Sequence, residues 1–172
     1  LFRSHNADLS EEGYLQVIRS KTSKLFEASA QVGAILSGAS PALEVACAEF
    51  GQALGTAFQV IDDVLDYTGD ASVMGKNLGD DLREGKPTPL MAIATARANA
   101  AQLKELQLVG NQDLSPEQIA RVQEVIRETG ALDELEAVIT RLTDEAITAV
   151  GHVPFTQSVR DELITLAEYV SW

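Results

Sequence analysis

The chain has 172 residues, with 13 Lys or Arg against 26 Asp or Glu, so its formal net charge is −13. This charge argues against binding to nucleic acid, which needs a basic surface, and against electrostatic docking to anionic lipid. One cysteine, Cys47, excludes an internal disulfide and fits a reducing compartment, so we expect a cytoplasmic protein. No apolar run approaches the length of a transmembrane helix.

Helical periodicity runs through almost the whole chain, and no segment has the pattern of a strand. A first helix is predicted from about Leu9, with Asp8 and Glu11 as its capping box, and it ends near Gly38. We therefore expect an all-α fold with about seven or eight helices.

A long central helix is predicted from Pro41 to about Thr68. Ser40 is a good N-cap, and proline is favoured at the first helical position. Gly51 and Gly55 within it allow another helix to approach closely, and Cys47 is expected to be a small core residue.

The second half of the chain predicts further helices. Ser115, Pro116 and Gln118 combine an N-cap, an N1 proline and a capping-box glutamine, and Gly130 is a stop signal. The predicted helices cover Leu90 to about Leu106, Pro116 to about Thr129, Leu132 to Val150 and Thr156 to Val170.

Three aspartates, Asp62, Asp63 and Asp66, fall inside the central helix. Residues i and i+4 share a helix face, so Asp62 and Asp66 project together with Asp63 beside them. Like charges at this spacing repel, and a helix that keeps them in an apolar setting needs a cation. Hard oxygen ligands with open water positions suit Mg²⁺ that carries a phosphate.

Other interpretations of this acidic stretch fit less well. Phe58, Ile61 and Leu65, together with Val64, recur at helical spacing among the aspartates, which is not typical of a solvated acidic face. A calcium loop counted from Asp66 lacks the required glycine and the twelfth-position glutamate. The segment GDDLREGK is followed by proline, so it is not a GxxxxGK[ST] phosphate loop.

The loop after the aspartates is rich in groups that bind anions. Lys76 and Lys86 are accompanied by glycines at positions 75, 79 and 85, where the backbone can approach an anion closely. Carboxylates of the helix that face lysines across this loop indicate a Mg²⁺–diphosphate site.

The stretch FQVIDDVLDYTGD, followed by MGKNLGDDLREGKPT, resembles the second aspartate-rich region of the trans-polyprenyl diphosphate synthases, especially the octaprenyl type. The earlier stretch SKTSKLFEASAQVGAILSGAS resembles the family's preceding segment. The resemblance implies an isoprenoid-synthase-type helical bundle. It also implies that Asp62 binds Mg²⁺, with Asp63 and Asp66 acting directly or through water.

The resemblance also assigns residues to the diphosphate. Lys21 and Lys76 take catalytic roles, and both are substrate-binding. The substrate-binding set implied by the resemblance is Lys21, Thr22, Phe58, Gln59, Lys76 and Lys86. The family's substrates are an allylic diphosphate and isopentenyl diphosphate, and its members suggest a homodimer.

The family's first DDxxD motif is absent from this sequence, so residues 1–172 are expected to be the C-terminal portion of a single helical domain, inactive alone. The implied enzyme is a prenyltransferase that makes a long all-trans polyprenyl diphosphate, for quinone side chains. In this reaction an allylic diphosphate ionises, the alkene of isopentenyl diphosphate attacks the cation, and a proton is lost. Two alternatives remain open: a short-chain farnesyl or geranylgeranyl synthase, and a non-catalytic helical partner subunit.

Overall fold

The computed structural model describes residues 11–68 and 80–171, with side chains described for 12–68 and 82–171. Within these ranges the chain forms nine α-helices and one π-helical turn, and no strand. The all-α prediction is therefore confirmed. Asp8 of the predicted first capping box lies outside the described residues.

The helices follow one another with short connections. Their bounds are α1 Glu11–Ile18, a π-helical turn Arg19–Ser23, α2 Lys24–Leu36, α3 Pro41–Thr68, α4 Asp80–Glu84, α5 Pro89–Arg97, α6 Ala100–Leu106, α7 Pro116–Glu128, α8 Ala131–Gly151 and α9 Gln157–Val170. The long helix α3 has the bounds that the sequence predicts. Within the described residues, none of these helices combines the length and apolar character needed to cross a bilayer.

The predicted N-cap at Ser115 is confirmed. The Ser115 hydroxyl accepts a hydrogen bond from the Gln118 backbone N–H at 3.3 Å, and the Gln118 side chain accepts one from the Ser115 N–H at 2.9 Å. Helix α7 ends before Gly130, whose φ of 71° lies in the left-handed region that favours glycine. These local signals explain why the bounds of α7 could be predicted.

The chain divides into two compact units, and α3 contributes residues to both. The first unit contains residues 11–14 and the described part of 62–136. In this unit α5, α6 and α7 pack on one another. The largest side chains that are fully buried here are Tyr67, Leu82, Leu90, Val122, Val125 and Ile126.

The second unit contains Leu15–Ile61 and residues 137–171. Its core includes Phe50 and Leu54 of α3, Val150 of α8 and Ala167 of α9, with Phe26 of α2 packed against them. Gly51 lies against α2 as predicted: a Cβ at this position would stand 2.6 Å from the carbonyl oxygen of Phe26. Cys47 is half-buried, and burial raises the pKa of its thiol, which disfavours the reactive thiolate.

The single helix predicted from Leu90 to Leu106 is wrong, because the chain breaks at Ala98. Ala98 is extended, with a ψ of 139°. Asn99 then caps a new helix by accepting hydrogen bonds from the N–H groups of Ala101 and Gln102, and the Gln102 side chain accepts one from the Asn99 N–H. An asparagine side chain that bonds to nearby backbone competes with the helix that would otherwise continue.

The apolar face predicted for the end of α3 is also partly wrong. Phe58 and Leu65 are 44% and 38% exposed. The buried face instead runs through Ala57, Val60, Val64 and Tyr67. Both apolar stripes of this helix have residues spaced by three and four, so periodicity alone could not tell which of them faces the core.

Candidate functional site

The three aspartates lie in the last two turns of α3, within the first unit. Asp62, Asp63 and Asp66 are each partly buried. Asp62 and Asp66 are four residues apart and therefore share one side of the helix, while Asp63 points about 100° away from Asp62. The predicted pairing of Asp62 with Asp66 is thus the geometry of a regular helix.

Tyr14 of α1 contacts this cluster directly. Its hydroxyl donates a hydrogen bond to Oδ2 of Asp63 at 2.5 Å. Burial, and then the charge and hydrogen bond of Asp63 and the charge of Asp62, raise the pKa of Tyr14 far above its usual value, so the hydroxyl remains a donor. Tyr14 could not be assigned to the site from sequence, because its spacing there is that of an ordinary aromatic residue on a helix.

The donor chemistry of the cluster fits part of a magnesium site. Asp62 and Asp66 provide hard carboxylate oxygens of the kind that Mg²⁺ prefers. Within the described residues, however, no group of three or more His, Cys, Asp or Glu side chains is arranged to hold a metal ion.

In the second unit, the π-helical turn carries Lys21 and Thr22. The backbone N–H of Lys24 bonds to the carbonyl of Arg19, five residues earlier, which defines the wide turn. In a regular helix consecutive side chains point about 100° apart. Here both Thr22 and the next residue, Ser23, reach α3.

The contacts of this turn with α3 are specific. The Thr22 hydroxyl donates to Oε1 of Gln59 at 2.6 Å, and the buried hydroxyls of Ser23 and Thr56 lie 2.8 Å apart. Because Thr22 uses the amide oxygen of Gln59, the amide nitrogen is the donor end of that side chain. Thr22 and Gln59, which are both predicted to bind substrate, thus contact each other.

Lys21 and Phe58 are the remaining predicted residues of the second unit. Lys21 is exposed. The ring of Phe58 stacks beside that of Phe26, with centroids 5.5 Å apart. Their assignment to substrate binding stays a prediction.

The backbone carbonyl of Lys86 accepts a hydrogen bond from α3. The buried Tyr67 donates its hydroxyl hydrogen bond to the Lys86 carbonyl at 2.7 Å, and Gln123 of α7 donates to the Tyr67 carbonyl at 3.1 Å. The Lys86 ammonium lies 3.6 Å from a carboxylate oxygen of Glu84, and both side chains are about half-exposed. Lys76 lies outside the described residues.

The comparison with known sequences decides the family. The family model described as "Polyprenyl synthetase" matches residues 1–129 of this chain. The chain belongs to this family. The resemblance found in the aspartate-rich region is therefore confirmed.

Curated members of the polyprenyl synthetase family match nearly the whole chain. The chain is 39% identical over 167 residues to the octaprenyl diphosphate synthase of Escherichia coli K12, covering 97% of this chain and 51% of that protein. It is 38% identical over 162 residues to the all-trans-nonaprenyl-diphosphate synthase (geranyl-diphosphate specific) of Rhodobacter capsulatus, covering 94% and 49%. The chain thus spans about half the length of these relatives.

A solved structure shares the fold. The geranylgeranyl pyrophosphate synthase of Corynebacterium glutamicum, complexed with isoprenyl diphosphate and magnesium, matches with a TM-score of 0.88 and 35% identity. The match covers 99% of this chain and 49% of that one. The predicted isoprenoid-synthase-type fold is therefore confirmed.

Proposed function

We propose that this chain supplies the second aspartate-rich region of a prenyltransferase that condenses isopentenyl diphosphate with an allylic diphosphate, such as farnesyl diphosphate. The observation that carries the proposal is the aspartate cluster of α3, where Asp62 and Asp66 share one partly buried side of the helix beside Asp63. Sequence similarity to the octaprenyl and nonaprenyl diphosphate synthases, which are both named for long products, also supports the proposal.

Magnesium is part of this proposal. Bound Mg²⁺ would offset the negative charge that the leaving diphosphate gains as the allylic bond breaks. Asp62 would hold it, with Asp63 and Asp66 acting directly or through water. The similar Corynebacterium enzyme has been crystallised with magnesium and isoprenyl diphosphate, which supports the choice of ion.

The chain's own cations and donors act on the diphosphate. Lys21 and Lys76 would stabilise the departing diphosphate as its charge grows, which lowers the barrier to ionisation. Gln59, oriented by Thr22, would donate from its amide nitrogen, and Lys86 would add a further cation. Phe58 would offer an apolar contact to the substrate, where exclusion of water protects the allylic cation from hydrolysis.

A long product is favoured over a short one by sequence similarity. The two curated relatives above are named for octaprenyl and nonaprenyl products at 39% and 38% identity. The geranylgeranyl enzyme is 35% identical. We therefore place farnesyl or geranylgeranyl synthesis second. We propose that the long all-trans product is used for the side chains of quinones.

A non-catalytic partner subunit is the second candidate function. It is favoured by one observation, that the described residues hold no complete set of metal ligands. A partner subunit would leave prenyl transfer to another chain. The two candidates differ in whether the purified gene product is active by itself.

We further propose a cytoplasmic homodimer. Several large apolar side chains of α2 are exposed, among them Leu25 at 71% and Leu36 at 83%. Exposed apolar surface of this kind is typical of an association site. The single cysteine supports a reducing compartment.

The experiment uses the complete product of the gene, incubated with labelled isopentenyl diphosphate, farnesyl diphosphate and Mg²⁺. Chromatography of the extracted chains should show all-trans products of about octaprenyl length, and removal of Mg²⁺ with a chelator should stop their formation. Products that end at 15 or 20 carbons would favour the short-chain alternative. No incorporation until a second protein is added would favour the partner subunit.

A further inference from the structure

We propose that Tyr14 is a positioning residue of the aspartate cluster: by holding Asp63, it orients this carboxylate beside Asp62, which meets the divalent cation. The inference rests on the proposed function, since it concerns how the cluster meets its metal. Nothing in the sequence pattern assigns Tyr14 to this task.

The contact is short, and both of its residues belong to the first unit. Tyr14 and Asp63 are 49 residues apart in sequence, yet the hydroxyl of Tyr14 lies 2.5 Å from Oδ2 of Asp63 in a partly buried setting. Hydrogen bonds to an ionised carboxylate are shorter and roughly twice as strong as neutral ones. One oxygen of Asp63 is therefore engaged by a protein donor.

The like charges of the cluster favour such a donor. Asp62 and Asp63 are consecutive and Asp66 is one turn further on, so like charges crowd the last two turns of α3. The Tyr14 hydroxyl offsets part of this repulsion at Asp63. It also holds one carboxylate oxygen of Asp63, which shares a helix face with Asp66 three residues further on.

This arrangement predicts different roles for Asp62 and Asp63. Asp62 contacts the cation, and Asp63, held by Tyr14, keeps a fixed orientation next to it. Groups that orient metal ligands in this way typically change metal affinity or activity by about 10- to 100-fold when they are mutated. Tyr14→Phe keeps the ring and removes only the hydroxyl, so it tests this contact with little disturbance of packing.

The test measures Mn²⁺ bound together with inorganic pyrophosphate, by electron paramagnetic resonance on the complete gene product. Tyr14→Phe should weaken binding about 10-fold or more. Tyr169→Phe is the matched control, because Tyr169 is 79% exposed on α9, and it should bind as the wild type does. Circular dichroism and thermal melting establish that each variant is folded.

A double-mutant cycle separates positioning from a general structural role. In an Asp63→Ala background, Tyr14→Phe should cause almost no further loss, because the partner through which it acts is gone. An equal loss in both backgrounds would overturn the inference. If Tyr14→Phe does not fold, Asp63→Ala removes the same hydrogen bond by deleting its acceptor, and its Mn²⁺–pyrophosphate binding is measured instead.

The outcomes also distinguish this inference from the proposed function. Loss of Mn²⁺–pyrophosphate binding with Asp62→Ala but not with Tyr14→Phe would overturn the inference alone. Binding that is unaffected by Asp62→Ala, or absent from the wild type, would overturn the proposed function and the inference with it.

Discussion

Hydroxyl groups set the orientation of polar side chains along α3. Tyr14 donates to Asp63 and Thr22 donates to Gln59, at 2.5 and 2.6 Å. In each case a residue from an earlier helix fixes a side chain that we assign to the metal or the diphosphate. The orientation of these groups is thus determined before any ligand binds, which reduces the cost of ordering them later.

Thr22→Val should destabilise the protein and weaken substrate binding. Valine has the same shape but cannot donate to Gln59, and a buried acceptor that loses its donor costs about 1–3 kcal/mol. Gln59 is buried, at 9% exposure. We expect a lower midpoint in urea unfolding and a higher KM for the allylic diphosphate. The control is Thr148→Val, an exposed helical threonine, and equal effects of the two variants would contradict the role given to Thr22.

The helical spacing of the aspartates could be predicted from sequence, but the residues that contact them could not. The spacing of Asp62 and Asp66 is a local property of a helix, so periodicity alone places them on one side. Tyr14 meets Asp63 across 49 residues, and nothing local encodes that meeting. The π-helical turn at Lys21 and Thr22 was missed for a similar reason, because its side chains bond to α3 rather than to their own helix.

At the scale of elements, the approach of α2 to α3 depends on glycine. A Cβ on Gly51 would lie 2.6 and 2.9 Å from the carbonyl oxygen and carbon of Phe26, which are backbone atoms. A Cβ on Gly55 would lie 2.8 Å from the side chain of the same phenylalanine. Backbone cannot give way as a flexible side chain can, so the two helices would have to separate.

Gly51→Ala should therefore lower the free energy of unfolding by about 1–3 kcal/mol, as expected for overpacking. Gly33→Ala is the matched control within α2, since a Cβ there meets nothing within 4 Å. Alanine in an exposed helix interior should raise stability by about 0.5–1 kcal/mol. Urea unfolding of the two variants should therefore shift in opposite directions, and a shared stabilisation would show that Gly51 has no packing role.

Helix bounds were predicted well where the signals are local and less well where helices compete. The N-cap at Ser115 and the stop at Gly130 act within a few residues, and both are confirmed. The break at Ala98 was missed, because the alanine-rich sequence has high helix propensity and only Asn99 marks the new cap. The buried face of α3 was misassigned, because two apolar stripes fit the same helical period.

At the scale of the whole molecule, we expect self-association. Val32 and Ile35 of α2 are 51% and 50% exposed, next to the still more exposed Leu36. Light scattering should give at least twice the mass of one chain, and Val32→Asp combined with Ile35→Asp should lower it. The control is Leu166→Asp on α9, also exposed. A wild-type protein that remains a monomer at high concentration would contradict the homodimer.

A negative net charge and an all-α fold occur in many proteins, so neither of them identifies the activity. The proposed activity is tested at the aspartate cluster of α3. Our central claim is that Asp62 holds the divalent cation that a departing diphosphate requires. Asp144 provides a matched control, because it is an exposed aspartate inside α8 and its replacement changes helix propensity in the same way.

The most direct measurement is the incorporation of labelled isopentenyl diphosphate by the complete gene product at saturating Mg²⁺, with Asp62→Ala compared with Asp144→Ala. The loss should appear in kcat, because the cation acts most strongly when the leaving group gains charge. We predict that Asp62→Ala lowers turnover by about 100-fold or more, and that Asp144→Ala leaves it unchanged. Equal activity of the two variants would mean that the aspartates form a solvated acidic surface.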